Sequence, residues 1–216
     1  MKFKGAIFDL DGTLVNSLED LADSMNAVLK SNNFPVHDLS SYKYFVGNGL
    51  RNLVYKTLPE DSRTEETVNI CYDSMVSGYR ENCINKTQPY DGITDLLDEL
   101  ASRGIKLAVF SNKADELTKK IVQTLLPNCN FEVVSGLLNE EYKKPNPAGA
   151  LKICETFGLQ PADVVYIGDT GTDMKTSVNA GTYPAGALWG FRTKEELIAN
   201  GAKQLLNHPL DLLQIL

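Results

Sequence analysis

Two aspartates, Asp9 and Asp11, stand one residue apart at the end of the apolar run "KGAIFDL", and Gly12 and Thr13 follow them. Charge at the mouth of a buried strand is costly to desolvate. The pair is therefore either a solvated turn that closes the strand or part of a reaction centre. Aspartate can attack phosphorus and carry the phosphoryl group as an aspartyl phosphate. A second carboxylate two residues on points to the same side of an extended chain. There it could protonate a leaving oxygen and later activate water.

Further polar groups close other apolar runs. "IKLAVF" ends in Ser111-Asn112, and "VVYI" ends in Gly168-Asp169-Thr170, with Asp173 four residues after Asp169. Between them "YKKPNP" carries Lys143 and Lys144 ahead of Pro145. Ligands of open parallel sheets bind beyond the carboxyl ends of the strands, so these residues converge on one edge. Three acids there repel unless a cation lies among them, and hard oxygen ligands with room for water and phosphate oxygens suit Mg2+. A hydroxyl, backbone N–H groups and a lysine beside that cation make a site for a dianionic phosphoryl group. Taken singly, Asp169 and Asp173 also read as a helix N-cap and a first-turn acid. Ser111-Asn112 also reads as an ordinary strand-to-loop turn.

The elements that position these groups follow from periodicity. "KGAIFDL" has the continuous apolar character of a strand buried on both faces. Ser17 and Asp20 form a capping-box pattern, and Leu18, Leu21, Met25, Val28 and Leu29 follow at the helical period. Helices are predicted again near 49–58 and from Thr64 to Asn82, so residues 16–87 read as all-helical. From Pro89 and Gly92 onward, strand and helix alternate: helix at 93–100, strand "IKLAVFSN", helix near 114–126, strand "FEVVSG", helix near 147–157, strand "VVYIGD", helix "DMKTSVNAG" and strand "YPAGALWG". That alternation argues a doubly wound parallel sheet. The expected architecture is an α/β core of residues 1–15 and 88–216, interrupted by a helical insertion at 16–87. Hinges are expected near Val15–Ser17 and Lys86–Tyr90.

The 216 residues, 43% of them hydrophobic, suffice for a sizeable core. A net charge of −7 without a basic block argues against a nucleic-acid partner. No apolar run approaches the roughly 18 residues that span a membrane, and the N-terminus reaches two aspartates too soon for a signal peptide. Cys71, Cys83, Cys129 and Cys154 form neither a CxxC pair nor a zinc pattern with His37 and His208. A cytoplasmic protein, monomer or homodimer, is expected. The two histidines read as surface residues, and Trp189 and Phe191 as packing.

Asp9-Leu10-Asp11-Gly12-Thr13, then Ser111, then Lys144-Pro145, then Gly168-Asp169-Thr170-Gly171-Thr172-Asp173 are, in order, the four motifs of the haloacid dehalogenase superfamily. The chain resembles that superfamily's phosphatases along nearly its whole length. The resemblance implies Asp9 as nucleophile and metal ligand, and Asp11 as general acid/base with its backbone carbonyl on the metal. It implies Thr13 and Ser111, with Asn112 beside it, at the phosphoryl oxygens, and Lys144 steadying Asp9. It implies Mg2+ as cofactor, held also by Asp169 and supported by Asp173. The superfamily's dehalogenases lack an acid at the place of Asp11.

The resemblance implies that the helical insertion is a cap that closes over the site and chooses the substrate, and such closure excludes water and completes the pocket. "VGNG" at 46–49 and the tail "LWGFRTKEELIANGA" resemble phosphoglycolate phosphatases, although a turn and helix cap explain Gly47-Asn48-Gly49 equally well. Asn16 departs from the Asp that relatives often carry. The expected activity is Mg2+-dependent hydrolysis of a small phosphorylated metabolite, with 2-phosphoglycolate first. Pyrophosphate or a sugar phosphate comes next, then a phosphomutase using the same acids. Arg51 or Lys43 is expected to meet the substrate's carboxylate. A phospho-acceptor signalling module is the reading from another class, and the helical insertion argues against it.

Overall fold

The computed structural model describes residues 2–216. In chain order its elements are β1 (Gly5–Phe8), β2 (Val15–Asn16), α1 (Leu18–Ser31), α2 (Leu39–Phe45), α3 (Leu50–Thr57), α4 (Glu65–Asn82), β3 (Gln88–Pro89), α5 (Ile93–Ser102) and β4 (Lys106–Ala114). There follow α6 (Asp115–Leu125), β5 (Val133–Leu137), α7 (Ala148–Phe157), β6 (Val164–Gly168), α8 (Gly171–Ala180), β7 (Tyr183–Ala187), α9 (Lys194–Ala199) and β8 (Gln204–Leu206). The chain divides into an α/β unit, Met1–Asn16 with Pro89–Leu216, and a helical unit, Ser17–Gln88. The short strands β2 and β3 pair where the chain leaves and re-enters the α/β unit.

The α/β unit is a six-stranded sheet ordered β5-β4-β1-β6-β7-β8, with every pairing parallel. It is the doubly wound sheet that the alternating pattern predicts. Its central strands are buried along their whole length, as strands covered by helices on both faces must be. One face packs Ile7, Phe110 and Tyr166 against Ile153, Cys154 and Phe157 of α7. The order also locates the ligand edge. After β1 the sheet grows outward through β4 and β5, then restarts on the other side of β1 with β6. That reversal is the topological switch point where such sheets open a crevice.

The helical unit packs α1 and α3 on α4, with Leu21, Met25, Leu29, Leu53, Val54, Val68, Cys71 and Met75 buried. Helix α2 was not anticipated, although Asp38 supplies its start signal by accepting the Ser41 N–H at 2.9 Å. The capping box at α1 is corrected: Ser17 makes no side-chain cap hydrogen bond. Asp20 turns inward instead. Its carboxylate accepts the N–H of Lys86 at 3.0 Å, the N–H of Thr87 at 2.8 Å and the Thr87 hydroxyl at 2.6 Å. A pattern four residues long cannot report a partner 66 residues away.

Asp20 and Thr87 are both buried, so removing the acceptor leaves orphaned donors. Asp20→Ala is expected to destabilise the helical unit by about 3 kcal/mol. The measurement is thermal unfolding by circular dichroism, where the midpoint of the affected transition falls by about 6–12 °C.

Candidate active site

Strand register builds the site. Phe8 pairs with Val109 on one side and Ile167 on the other, so Asp9 comes level with Phe110 and Gly168. The Asp9 N–H donates to the Ile167 carbonyl at 2.9 Å, which keeps the first aspartate in line with the sheet. One residue further along the flanking strands lie Ser111 and Asp169. Gly12 then turns the chain at φ +83°, a conformation glycine adopts without cost. A Cβ there would land on the Asp169 carboxylate.

Strand β4 is irregular where its polar residues stand. Phe110 pairs with Ser135 and Ala114 with Leu137, so four steps on β4 face two on β5. Such a bulge re-aims side chains at a sheet rim. It holds Ser111, Asn112 and Lys113, all buried.

Lys144 enters ahead of α7 and is 3% exposed. Its ammonium lies 2.8 Å from Asp9 Oδ1 and 2.7 Å from Asp173 Oδ1, and it donates to the Phe110 carbonyl at 3.2 Å. Asn112 braces it: the Asn112 Oδ1 accepts the Lys144 N–H at 2.8 Å and its Nδ2 donates to the Lys144 carbonyl at 3.2 Å. Burial alone would lower the Lys144 pKa, but Asp173 and Asp9 hold it well above its ordinary value. It stays charged.

Thr170 and Asp173 cap α8 reciprocally. Asp173 Oδ2 accepts the Thr170 N–H at 3.0 Å and its hydroxyl at 2.6 Å, while Oδ1 faces Lys144. Asp173 is therefore a capping residue and a site acid at once. The two readings of this residue are compatible.

One carboxylate oxygen each of Asp9, Asp169 and Asp173 lies within 4.8 Å of the others, and all three residues are buried. Burial, then Asp173, push the Asp9 carboxyl up to about 7 against the pull of Lys144. Burial, Asp173 and Asp9 push Asp169 well above the carboxylate range, opposed by the Phe191 N–H and Arg192. With all three ionised beside one ammonium, the grouping would carry a buried excess of negative charge. A hard divalent cation with carboxylate ligands fits that deficit.

The remaining predicted residues are placed as follows. The Thr13 hydroxyl donates to Asp169 Oδ1 at 3.3 Å, and Ser111 Oγ accepts the Lys113 N–H at 3.2 Å. Arg51 and Lys43 belong to the helical unit and are exposed. Arg51 Nη1 donates to Asn69 Oδ1 at 2.7 Å, and its guanidinium lies over Tyr72.

Two expectations are corrected. Trp189 is more than packing, because its indole N–H donates to the Thr13 carbonyl at 2.9 Å. The Phe191 N–H donates to Asp169 Oδ2 at 2.8 Å, so the segment after β7 braces two of the motifs. His37 is not a simple surface residue either. Its Nε2 lies 2.7 Å from the Thr57 carbonyl, and its ring meets Tyr42 and Phe45 edge-on.

Lys113 was missed. Its Nζ lies 2.6 Å from Asp11 Oδ1, with 2% of the lysine side chain exposed. The available signal was its place two residues after Ser111 on a strand, which predicts a shared face.

Fold and site together define a class: a doubly wound α/β enzyme whose switch point gathers buried acids, hydroxyls and lysines. A profile of the haloacid dehalogenase-like hydrolases matches residues 6–187. A phosphoglycolate phosphatase of Aquifex aeolicus is 35% identical, over 97% of this chain and 95% of its own. An N-acetylmuramic acid 6-phosphate phosphatase of Pseudomonas aeruginosa is 29% identical, over 100% and 96%. The crystal structure of a predicted phosphoglycolate phosphatase from Haemophilus somnus superposes with a TM-score of 0.92 at 28% identity, covering 100% of this chain and 98% of that one. The chain belongs to the haloacid dehalogenase-like hydrolase family. No helix among the described residues is long and apolar enough to cross a membrane.

Proposed function

We propose that this hydrolase is a Mg2+-dependent phosphomonoesterase that removes the phosphoryl group from a small metabolite, 2-phosphoglycolate first, through an aspartyl phosphate on Asp9. The buried grouping of Asp9, Asp169 and Asp173 around Lys144 carries the reading. It combines a carboxylate aimed from the sheet edge with a cluster of buried acids whose charge a hard divalent cation would balance.

The carboxylates of Asp9, Asp169 and Asp173 and the backbone carbonyl of Asp11 would hold Mg2+. When bound there, the ion would neutralise charge on the acids and the phosphoryl oxygens. Asp9 attacks phosphorus, and the bond to the leaving oxygen breaks. Asp11 gives that oxygen its proton and then takes one from the water that hydrolyses the acyl phosphate. Thr13 and Ser111 turn their hydroxyls to phosphoryl oxygens, and Lys144 keeps Asp9 in line. Positioning and charge neutralisation are the main demands of phosphoryl transfer.

The helical unit is assigned the choice of substrate, with Arg51 and Lys43 as its candidate cations. The protein acts on free metabolite in the cytoplasm as a monomer or homodimer. The relative named for N-acetylmuramic acid 6-phosphate favours a sugar phosphate as the second reading.

The test is phosphate release from 2-phosphoglycolate, N-acetylmuramic acid 6-phosphate and pyrophosphate, with Mg2+ and after EDTA. Chelation is expected to lower kcat by about 10^3-fold or more, reversed by Mg2+, since the ion supplies several kcal/mol to the transition state. Full activity in EDTA would sink the metal assignment, and preference for another substrate would sink 2-phosphoglycolate.

A further inference from the structure

We propose that Lys113 is the specificity-determining residue for an anionic leaving group: its ammonium receives the substrate's carboxylate beside Asp11. The proposal rests on the reading above that the substrate is a carboxylated phosphomonoester.

The site contains two buried lysines with different carboxylate partners. Lys144 serves Asp9 and Asp173, the nucleophile side. Lys113 faces Asp11 at 2.6 Å, the leaving-group side. The β4 bulge aims it there, and its N–H is tied to Ser111 Oγ, so its backbone is set by a residue at the phosphoryl group. Lys144 serves the nucleophile side, so Lys113 brings a second buried ammonium to the side of Asp11, where it can bridge that carboxylate and an anion on the substrate.

The substrate's chemistry supplies one. In 2-phosphoglycolate the carboxylate sits on the carbon that bears the leaving oxygen. If Asp11 reaches that oxygen, the carboxylate comes within reach of the group that touches Asp11. A neutral leaving group offers Lys113 nothing beyond the protein. An anionic one offers a charge-assisted hydrogen bond in a water-poor setting, where such bonds are strongest. This places the recognition of the acid in the α/β unit, in addition to the exposed cations Arg51 and Lys43 of the helical unit.

The experiment compares kcat/KM for 2-phosphoglycolate and for ethyl phosphate, which has a methyl group in place of the carboxylate. Wild type is expected to prefer 2-phosphoglycolate. In Lys113→Met the ratio of the two values is expected to fall about 30-fold or more, whatever the loss common to both. If turnover is too slow to read, calorimetric binding of 3-phosphonopropionate against propylphosphonate in wild type and variant reads the same ratio. An unchanged ratio with equal losses on both substrates makes Lys113 a positioning residue for Asp11 alone and overturns the proposal. A wild type without preference between the two substrates overturns the underlying substrate reading instead.

Discussion

Asp9→Asn is expected to lower kcat for phosphomonoester hydrolysis by about 10^4-fold or more while the fold is kept. The amide is nearly isosteric, and its oxygen can still accept the Leu10 N–H that Asp9 Oδ1 accepts at 2.7 Å. It cannot form the acyl phosphate. Steady-state phosphate release checks the loss, and circular dichroism checks the fold. Retained turnover would remove Asp9 as nucleophile.

The same substitution has a signed effect on stability. The Asp9 carboxyl is pushed from its ordinary 3.8 to about 7, by burial first and then by Asp173. Between those values the folded state binds the proton more tightly than the unfolded chain. Metal-free stability therefore falls as pH rises through that window. The asparagine has no such slope. In EDTA the Tm of Asp9→Asn should gain on wild type between pH 5 and pH 7.5 by several degrees, a gap of order 1 kcal/mol or more. Mg2+ should raise the Tm of wild type more than that of the variant, because only wild type offers all three carboxylates. A gap independent of pH would mean that Asp9 ionises in the folded protein without penalty.

Lys144→Met is the largest expected loss of stability. The ammonium is buried and shared by Asp9 and Asp173. Methionine fills much the same volume, so the effect isolates the charge. Breaking a buried ion pair from one side costs about 3–5 kcal/mol, because the partner is left uncompensated. That corresponds to a Tm lower by about 10 °C for a chain of this size. Protonation relieves the repulsion among the acids left behind, so the deficit should be smaller at pH 5 than at pH 8. Catalysis should fall by about 10^3-fold or more, since Asp9 loses the group that aims it and the phosphoryl oxygens lose a cation. Equal stability of variant and wild type at pH 8 would show that the acids already share enough charge without the lysine.

The four motifs and the parallel sheet were legible in the sequence, and the pattern of residues 16–87 reads as all-helical. Apolar runs and the 3.6-residue period are local properties, and strand ends in a parallel sheet have one functional meaning. Asp9 and Asp169 directly follow such ends, Ser111 stands in the bulge near the end of β4, and Lys144 lies in the loop ahead of α7. Helix α2 escaped because its seven residues hold too little periodicity. The final elements α9 and β8 are similarly short.

The sequence by itself determined which chemical groups are present and which edge of the sheet gathers them, because composition and period suffice for that. Only the tertiary structure decided how they are paired. Asp20 turned from a local cap into the anchor of Thr87. Trp189 became the donor to the Thr13 carbonyl, and Asp11 acquired Lys113 across 102 residues. Such pairings depend on strand order, a bulge in β4 and burial that removes water as a competitor. A linear pattern carries none of the three.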